Sequence, residues 1–482
     1  MELKTKFRTY QNAMHDTMTK SLKEYGYGLL NAGCRTGKTF ISLAIGKSIG
    51  ATRILVLTTD AAMRSTWPNE IQKHTEGAHS LTLTKGSSKE KAKLMRAFMQ
   101  QTPGVKIVVV NYETAKLIAD DITSCQFDYV IADESQKLMS ESSDTSKLLA
   151  RACSNIQYKL CMTGTVWSDH IKNVYGQVRF LAPLLKGKKT VHSALLGTWG
   201  SFMYQYCVTF KLGNVEIISG YKNKEKLAAL IKPFFHHVKT EDVLDLPDVQ
   251  NIVVDVPMTG DLKRMYRELE VELFSTFGKD YLVGDNKLVC ELRLHQMTGG
   301  FVTPMRIDAL GKYVPAAAVP TPVPDKSGDA KLEALLDLVD EFGGEPFVVF
   351  TRFTADVAKI KKALEKIGLK VKQLTGAIKE NDAFEAGEGD CLIANIQAGN
   401  AGISLIRARL VIDYTIGNSR TQYIQSRYRF LANGLDKSKP IVYHFLRMEN
   451  SVDGQIYDRM LAKEVSDNSL LELILDKEVV IE

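Results

Sequence analysis

The sequence predicts an α/β protein made of two parallel-sheet lobes joined by a proline-rich linker, with helical insertions after the first lobe. Three observations predict it. Apolar runs of strand length alternate with helix-like segments through residues 1–250, the pattern of a parallel sheet covered by helices. Residues 304–329 then gather Pro315, Pro320, Pro322 and Pro324 among alanines, a stretch short of N–H donors and unable to build a core. Beyond it the alternation resumes over residues 330–460. A chain of 482 residues exceeds one comfortable core, so two or three domains are expected.

In the first lobe, residues 27–30, 53–58, 105–110, 127–132 and 158–163 read as buried strands, and residues 89–99 as a helix between two of them. A helical insertion is expected at about 167–240 and a second at 251–303. In the latter, Leu262, Met265, Tyr266, Leu269, Leu273 and Phe277 recur at helical spacing. The second lobe opens with a strand at 346–350. Val357, Ile360, Leu364 and Ile367 then mark one face of a helix ended by Gly368. Strands follow at 371–374, 391–394, 410–413 and 441–445. Residues 461–482 mix Leu470, Leu471, Leu473, Ile474 and Leu475 with acids and read as a packing helix.

Two motifs carry the chemistry. Ala32-Gly33-Cys34-Arg35-Thr36-Gly37-Lys38-Thr39 lies between the first strand and an apolar helix face, Phe40 to Ile45. A small-residue loop entering a helix N-terminus lets backbone N–H groups approach phosphates, with the helix dipole adding favourable potential. Lys38 supplies a point charge to the outer phosphates and Thr39 a hydroxyl to Mg²⁺. About a hundred residues later, Asp133-Glu134-Ser135-Gln136 follows the strand at 127–132. Asp133 is placed to hold Mg²⁺ and Glu134 to orient and deprotonate an attacking water. Together the motifs point to ATP and Mg²⁺ as cofactors and to an ATP-hydrolysing motor.

Composition narrows the setting. A net charge of +6 is compatible with nucleic acid but too small to argue for it. The start lacks the apolar segment of a secretory signal, and no apolar run approaches the ~18 residues of a membrane span. Seven scattered cysteines without a C-x-x-C pair speak against a zinc site or disulfide framework. A reducing cytoplasm is the expected location.

The motif order resembles the superfamily-two helicases and translocases, which have two RecA-like lobes, and within them the Swi/Snf-like branch in a compact form such as phages carry. Arg8-Thr9-Tyr10-Gln11 resembles the opening motif; the resemblance implies that Gln11 reads the adenine edge, with Arg8 beside it. The strand ending before Thr59, followed by Trp67, resembles a segment that contacts the nucleic-acid strand, as do Asn111-Tyr112-Glu113. Thr163-Gly164-Thr165 resembles the motif coupling hydrolysis to lobe movement. Residues 238–243 with Leu246-Pro247 resemble a segment peculiar to the branch.

In the second lobe, residues 349–353 with Thr351 and Arg352, and residues 395–405 with Asn395, Gln397 and Gly402, resemble strand-binding and cleft motifs. Residues 425–429 resemble the arginine-finger motif. On that alignment Arg429 is the first finger arginine, Ala432 replaces the second, and Arg427 gives support at the nucleotide. A second register starts at Gln422 and puts Arg429 in the second position. Gln136 stands where the family usually has His.

The implied function is a DNA-dependent ATPase that translocates on nucleic acid and remodels or unwinds it. Duplex or forked DNA is the expected partner, with RNA left open. An alternative is a nucleic-acid-binding remodelling module whose hydrolysis is weak or lost through Ala432, since a finger supplies 10³–10⁵ in rate. Some residues also admit plainer readings. Trp67 and Trp167 could stack on bases but equally fit packing. His236, His237 and His295 have no ligand-spaced partners and fit structural roles.

Overall fold

The computed structural model describes residues 1–164, 170–182, 196–212, 215–284, 286–317, 319–323, 325–396, 403–432, 435–466 and 468–475. Thr165, Trp167, Gln397 and Gly402 lie outside them. The chain forms two compact units, Met1–Leu244 with Lys463–Glu482, and Asp245–Ala462.

The first unit is built on seven strands: β1 (Tyr27–Ala32), β2 (Arg53–Thr58), β3 (Ala78–Thr82), β4 (Val105–Asn111), β5 (Tyr129–Asp133), β6 (Tyr158–Thr163) and β7 (Phe235–Val238). Their order is β7-β1-β6-β5-β2-β4-β3 and every pairing is parallel. The five central strands are the five apolar runs expected from the sequence. The two edges were not legible, because β3 is largely polar and β7 carries His236 and His237. An edge strand buries one side only, so its apolar signal is weak. The sheet order sets the carboxyl ends of β1, β6, β5 and β2 side by side, where open α/β sheets bind ligands.

The insertion expected to be helical is mixed. Helices Val174–Leu181, Trp199–Tyr206 and Lys224–Ile231 flank an antiparallel pair, Cys207–Leu212 with Val215–Tyr221. Lys224–Ile231 also explains the C-terminal helix, Asn468–Leu475. Leu470 and Ile474 share one apolar core with Leu227 and Ile231, so this helix packs onto its own first unit.

The second unit holds six parallel strands: β8 (Val249–Val256), β9 (Phe347–Thr351), β10 (Val371–Leu374), β11 (Cys391–Asn395), β12 (Leu410–Asp413) and β13 (Ile441–Met448), ordered β8-β13-β12-β9-β11-β10. Two boundaries need correction. β8 straddles the boundary expected at residue 250, because its partner β13 lies almost two hundred residues away. The expected linker is also structured. Met305–Ile307 and Tyr313–Pro315 pair and complete a four-stranded antiparallel sheet with Phe274–Phe277 and Asp280–Val283. Pro315 ends an edge strand, where a missing N–H costs no ladder bond. Val323 is buried in this unit's core.

Candidate nucleotide site

The phosphate loop leaves β1 and ends on Gly37, whose left-handed backbone (φ 84°) precedes the helix Lys38–Ser48. Arg35 is left-handed as well (φ 63°). Such alternation turns successive N–H groups toward one concavity, the geometry of an anion nest. The loop is braced from two sides. A Cβ on Gly33 would lie 2.1 Å from Thr240 Oγ1, and one on Gly37 2.4 Å from Gln11 Nε2. Thr240 Oγ1 donates to the Cys34 carbonyl (2.9 Å), while Gly33 N donates to the Val238 carbonyl (2.9 Å). Thr36 closes the loop internally through Oγ1 to Gly33 O (2.8 Å).

Gln11 has a role the sequence did not suggest. Its Nε2 donates to the Thr36 carbonyl (3.1 Å) and its Oε1 accepts from Arg8 N (2.9 Å). Both ends of the amide therefore hold the loop and the start of the helix Thr9–Tyr25 together. Reading an adenine edge would require one of these bonds to be exchanged.

Across from the loop, Asp133 closes β5. Its Oδ2 accepts from Thr58 Oγ1 (3.0 Å) and Trp67 Nε1 (2.9 Å), and its Oδ1 from Glu134 N (3.1 Å). Burial pushes the Asp133 carboxyl up and the Glu134 charge adds to this; Lys38, Trp67 and Thr58 oppose it. Lys38 feels the same field with opposite sign. Burial works against its ammonium, but Cys34, Glu134 and Asp133 outweigh that and raise its pKa. Loop lysine and carboxylate pair thus form one electrostatic unit, whose oxygen donors suit a hard divalent cation. Thr39 and Asp133 are the residues that would hold Mg²⁺.

Glu134 takes a left-handed backbone (φ 51°). Its carboxylate accepts from Gln136 Nε2 (2.5 Å), and Gln136 Oε1 accepts from Thr163 Oγ1 (2.8 Å) at the end of β6. Glutamine suits the position because its amide donates at one end and accepts at the other. Gly164 then meets the phosphate loop: a Cβ there would stand 3.6 Å from Ala32 O. A continuous polar line joins the expected coupling segment to the expected base.

The residues expected to touch nucleic acid divide. Trp67 is wholly buried and its indole N–H sits on Asp133, so it holds that carboxylate instead of stacking on a base. Tyr112 is also buried and donates to the Asp133 carbonyl (2.8 Å). Thr351 is inaccessible at 0 % exposure. Thr59 and Asn111 stand at the ends of neighbouring strands, where they cap the helices Asp60–Arg64 and Tyr112–Leu117. Asn395 Nδ2 donates to the Arg352 carbonyl (2.9 Å). Arg352 is half-buried at the end of β9.

Of the two candidate finger residues, Arg427 is committed within the second unit. It bonds Asp413 and Tyr423 Oη and stacks over Tyr423 and Tyr443 at 4.4 and 3.8 Å. Burial disfavours the guanidinium, yet Asp413 and the tyrosines hold it protonated. Arg429 is buried at 5 % exposure.

The SNF2-related domain matches residues 7–298, and the helicase conserved C-terminal domain matches residues 330–434. The chain belongs to the SNF2-related family. This SNF2-related protein is 22% identical over 425 residues to mouse chromodomain-helicase-DNA-binding protein 1-like, covering 85% of this chain and 43% of that one. It is 22% identical over 447 residues to the chromatin remodeling factor mit1 of Schizosaccharomyces pombe, covering 87% and 29%. It thus spans less than half the length of these two relatives. A putative protein, p41, of Acyrthosiphon pisum secondary endosymbiont phage 1 is 22% identical over 437 residues and matches across 88% of both chains, in keeping with a compact form. A solved SWI2/SNF2 ATPase core from Sulfolobus solfataricus, in complex with double-stranded DNA, aligns over 100% of this chain and 98% of that one, with 19% identity and a TM-score of 0.43.

Proposed function

We propose that the protein hydrolyses ATP when bound to duplex DNA and uses the reaction to move along it. The polar line Thr163–Gln136–Glu134 beside Lys38 and Asp133 carries this reading. A neutral amide orients the carboxylate without adding a counter-charge, as suits a group that positions water. Mg²⁺ would neutralise charge on the phosphates. The chain's residues do the rest: the loop N–H groups and Lys38 hold the phosphates, Asp133 and Thr39 anchor the ion, and Glu134 takes the proton of the attacking water.

Movement follows if the pull of Thr163 on Gln136 differs between nucleotide states, because Glu134 is then aligned only in one of them. Arg429 is the proposed finger, since Arg427 is neutralised by Asp413. The mouse and fission-yeast relatives are named as a chromodomain-helicase-DNA-binding protein and a chromatin remodeling factor, which supports DNA as partner.

The test is ATP turnover with no nucleic acid and with duplex, single-stranded and forked DNA and RNA, beside Glu134→Gln. Duplex-stimulated turnover that falls about 10³-fold in the variant is expected. Turnover indifferent to every nucleic acid sinks the motor reading. Stimulation by RNA alone redirects it to an RNA motor. Binding to duplex without turnover favours the alternative, a remodelling module with lost hydrolysis, which the substitution at Ala432 motivates.

A further inference from the structure

Arg352 is tied at every polar position of its backbone and at its side chain. Its N–H donates to Thr415 Oγ1 (2.9 Å), its carbonyl accepts from Asn395 Nδ2 (2.9 Å), and its Nη1 donates to His295 Nδ1 (2.8 Å). The guanidinium also lies 5.3 Å from the Phe353 ring centre. An exposed arginine loses much rotamer freedom when it binds a ligand. This one has lost it already.

The partner's chemistry matters as much as its position. His295 comes from the helix Lys287–Thr298 and is 1 % exposed. Burial outweighs the help of Asp453 and pushes its pKa down to about 3, so the ring is neutral. Accepting at Nδ1 requires the ring proton on Nε2, which points to Asp453 Oδ1 at 3.7 Å.

The two nearest carboxylates have other partners. Asp453 pairs with buried Lys331 at 2.5 Å and also accepts from Thr298 Oγ1 and Met448 N. Glu291, the carboxylate whose field reaches Arg352, accepts from Arg459 Nη2 (2.7 Å) and Asn418 Nδ2 (3.1 Å). Among the described residues no carboxylate bonds the Arg352 guanidinium. A half-buried cation, fixed by a neutral acceptor and bonded to no carboxylate among the described residues, is built to receive an anion.

We propose that His295 is a positioning residue which fixes Arg352 as a grip for one phosphodiester of the nucleic-acid backbone. This rests on the motor reading and adds to it a residue from the helical segment preceding the second α/β repeat. The bidentate fork of arginine matches a phosphate, and a preset fork gains affinity by avoiding the ordering cost. Such a contact reads no sequence.

The test is duplex-DNA affinity against salt for the full chain, Arg352→Gln, His295→Phe, the double variant and His295→Asn, with nucleotide binding measured in parallel. Asn can offer an oxygen near the place of Nδ1. Expected are a roughly tenfold loss for Arg352→Gln with the log–log salt slope smaller by about 0.9, and most of that loss in His295→Phe. The double variant should be no weaker than Arg352→Gln alone, His295→Asn should stay within a few-fold of the parent, and nucleotide binding should be unchanged throughout. A parent that binds no nucleic acid overturns both this inference and the motor reading. A parent that binds, with an Arg352→Gln slope equal to its own, overturns the inference alone. So does a His295→Phe loss that multiplies with the Arg352→Gln loss.

Discussion

Arg427 and Arg352 lie in the same unit, and their surroundings differ in one respect that decides what each can do. Arg427 faces a buried carboxylate, Asp413, between two tyrosine rings. Arg352 faces a neutral imidazole. In the first unit, Asp133 repeats the second arrangement with the charges reversed, being held by a tryptophan N–H and a threonine hydroxyl. A charge held by neutral groups keeps its field for a ligand, whereas one held by its opposite has become part of the framework.

The contrast breaks most visibly at Asp413. Asp413→Asn should leave the Arg427 charge buried without its counter-ion, at a cost of about 3–5 kcal/mol of stability. Chemical denaturation should show this, and a loss below 1 kcal/mol would mean that Arg427 can turn out to solvent.

Asp356 sharpens the comparison, since it is a carboxylate held mainly by a hydroxyl where no ligand is expected. Thr415 Oγ1 donates to it at 2.7 Å, and burial raises its pKa to about 7 against the pull of Thr415, Lys331 and Lys359. A folded value above the unfolded ~3.9 means the folded chain keeps a proton that the unfolded chain releases. The resulting stability is whole below about pH 4 and is lost as pH rises through about 7. Asp356→Asn should therefore gain on the parent in thermal unfolding from pH 4 to 7, by up to a few kcal/mol, and level off above. An advantage that does not move with pH defeats this assignment.

Trp67→Phe keeps the buried ring and removes the N–H on Asp133. Loss of such an outer partner typically costs 10–100-fold; here the Mg²⁺ concentration for half-maximal turnover should rise by that much while unfolding changes little. If the Mg²⁺ dependence stays put, Trp67 only packs. The smallest effect is expected at Thr163→Val, which removes one neutral hydrogen bond on Gln136. Turnover should fall about fivefold to tenfold, with KM for ATP unchanged. A raised KM and unchanged kcat would place Thr163 in nucleotide binding instead.

Local signals carried most of this architecture. The placing of residues 33–37 and of Asp133-Glu134 at strand ends was legible because each is a few adjacent residues beside a buried apolar run. What escaped the sequence was every partner chosen at long range. Trp67 admits stacking or packing equally until Asp133, 66 residues on, is seen to accept its N–H. His295 carries no ligand spacing, and its partner follows 57 residues later. Thr240 braces a carbonyl 206 positions earlier. The proline-rich stretch misled for another reason. Pro315 and Pro322 sit at strand positions that need no donor, so a poor composition for a core still made strands.

Thr240 has one more implication. It opens the short helix Thr240–Val243, whose last bond runs from Leu244 N to Thr240 O, and the first unit gives way to the second directly after Leu244. The Cys34 carbonyl is therefore bonded to the first residue of the final turn before the crossing. Phosphate loop and connecting chain are thus joined through a single hydroxyl, within one unit.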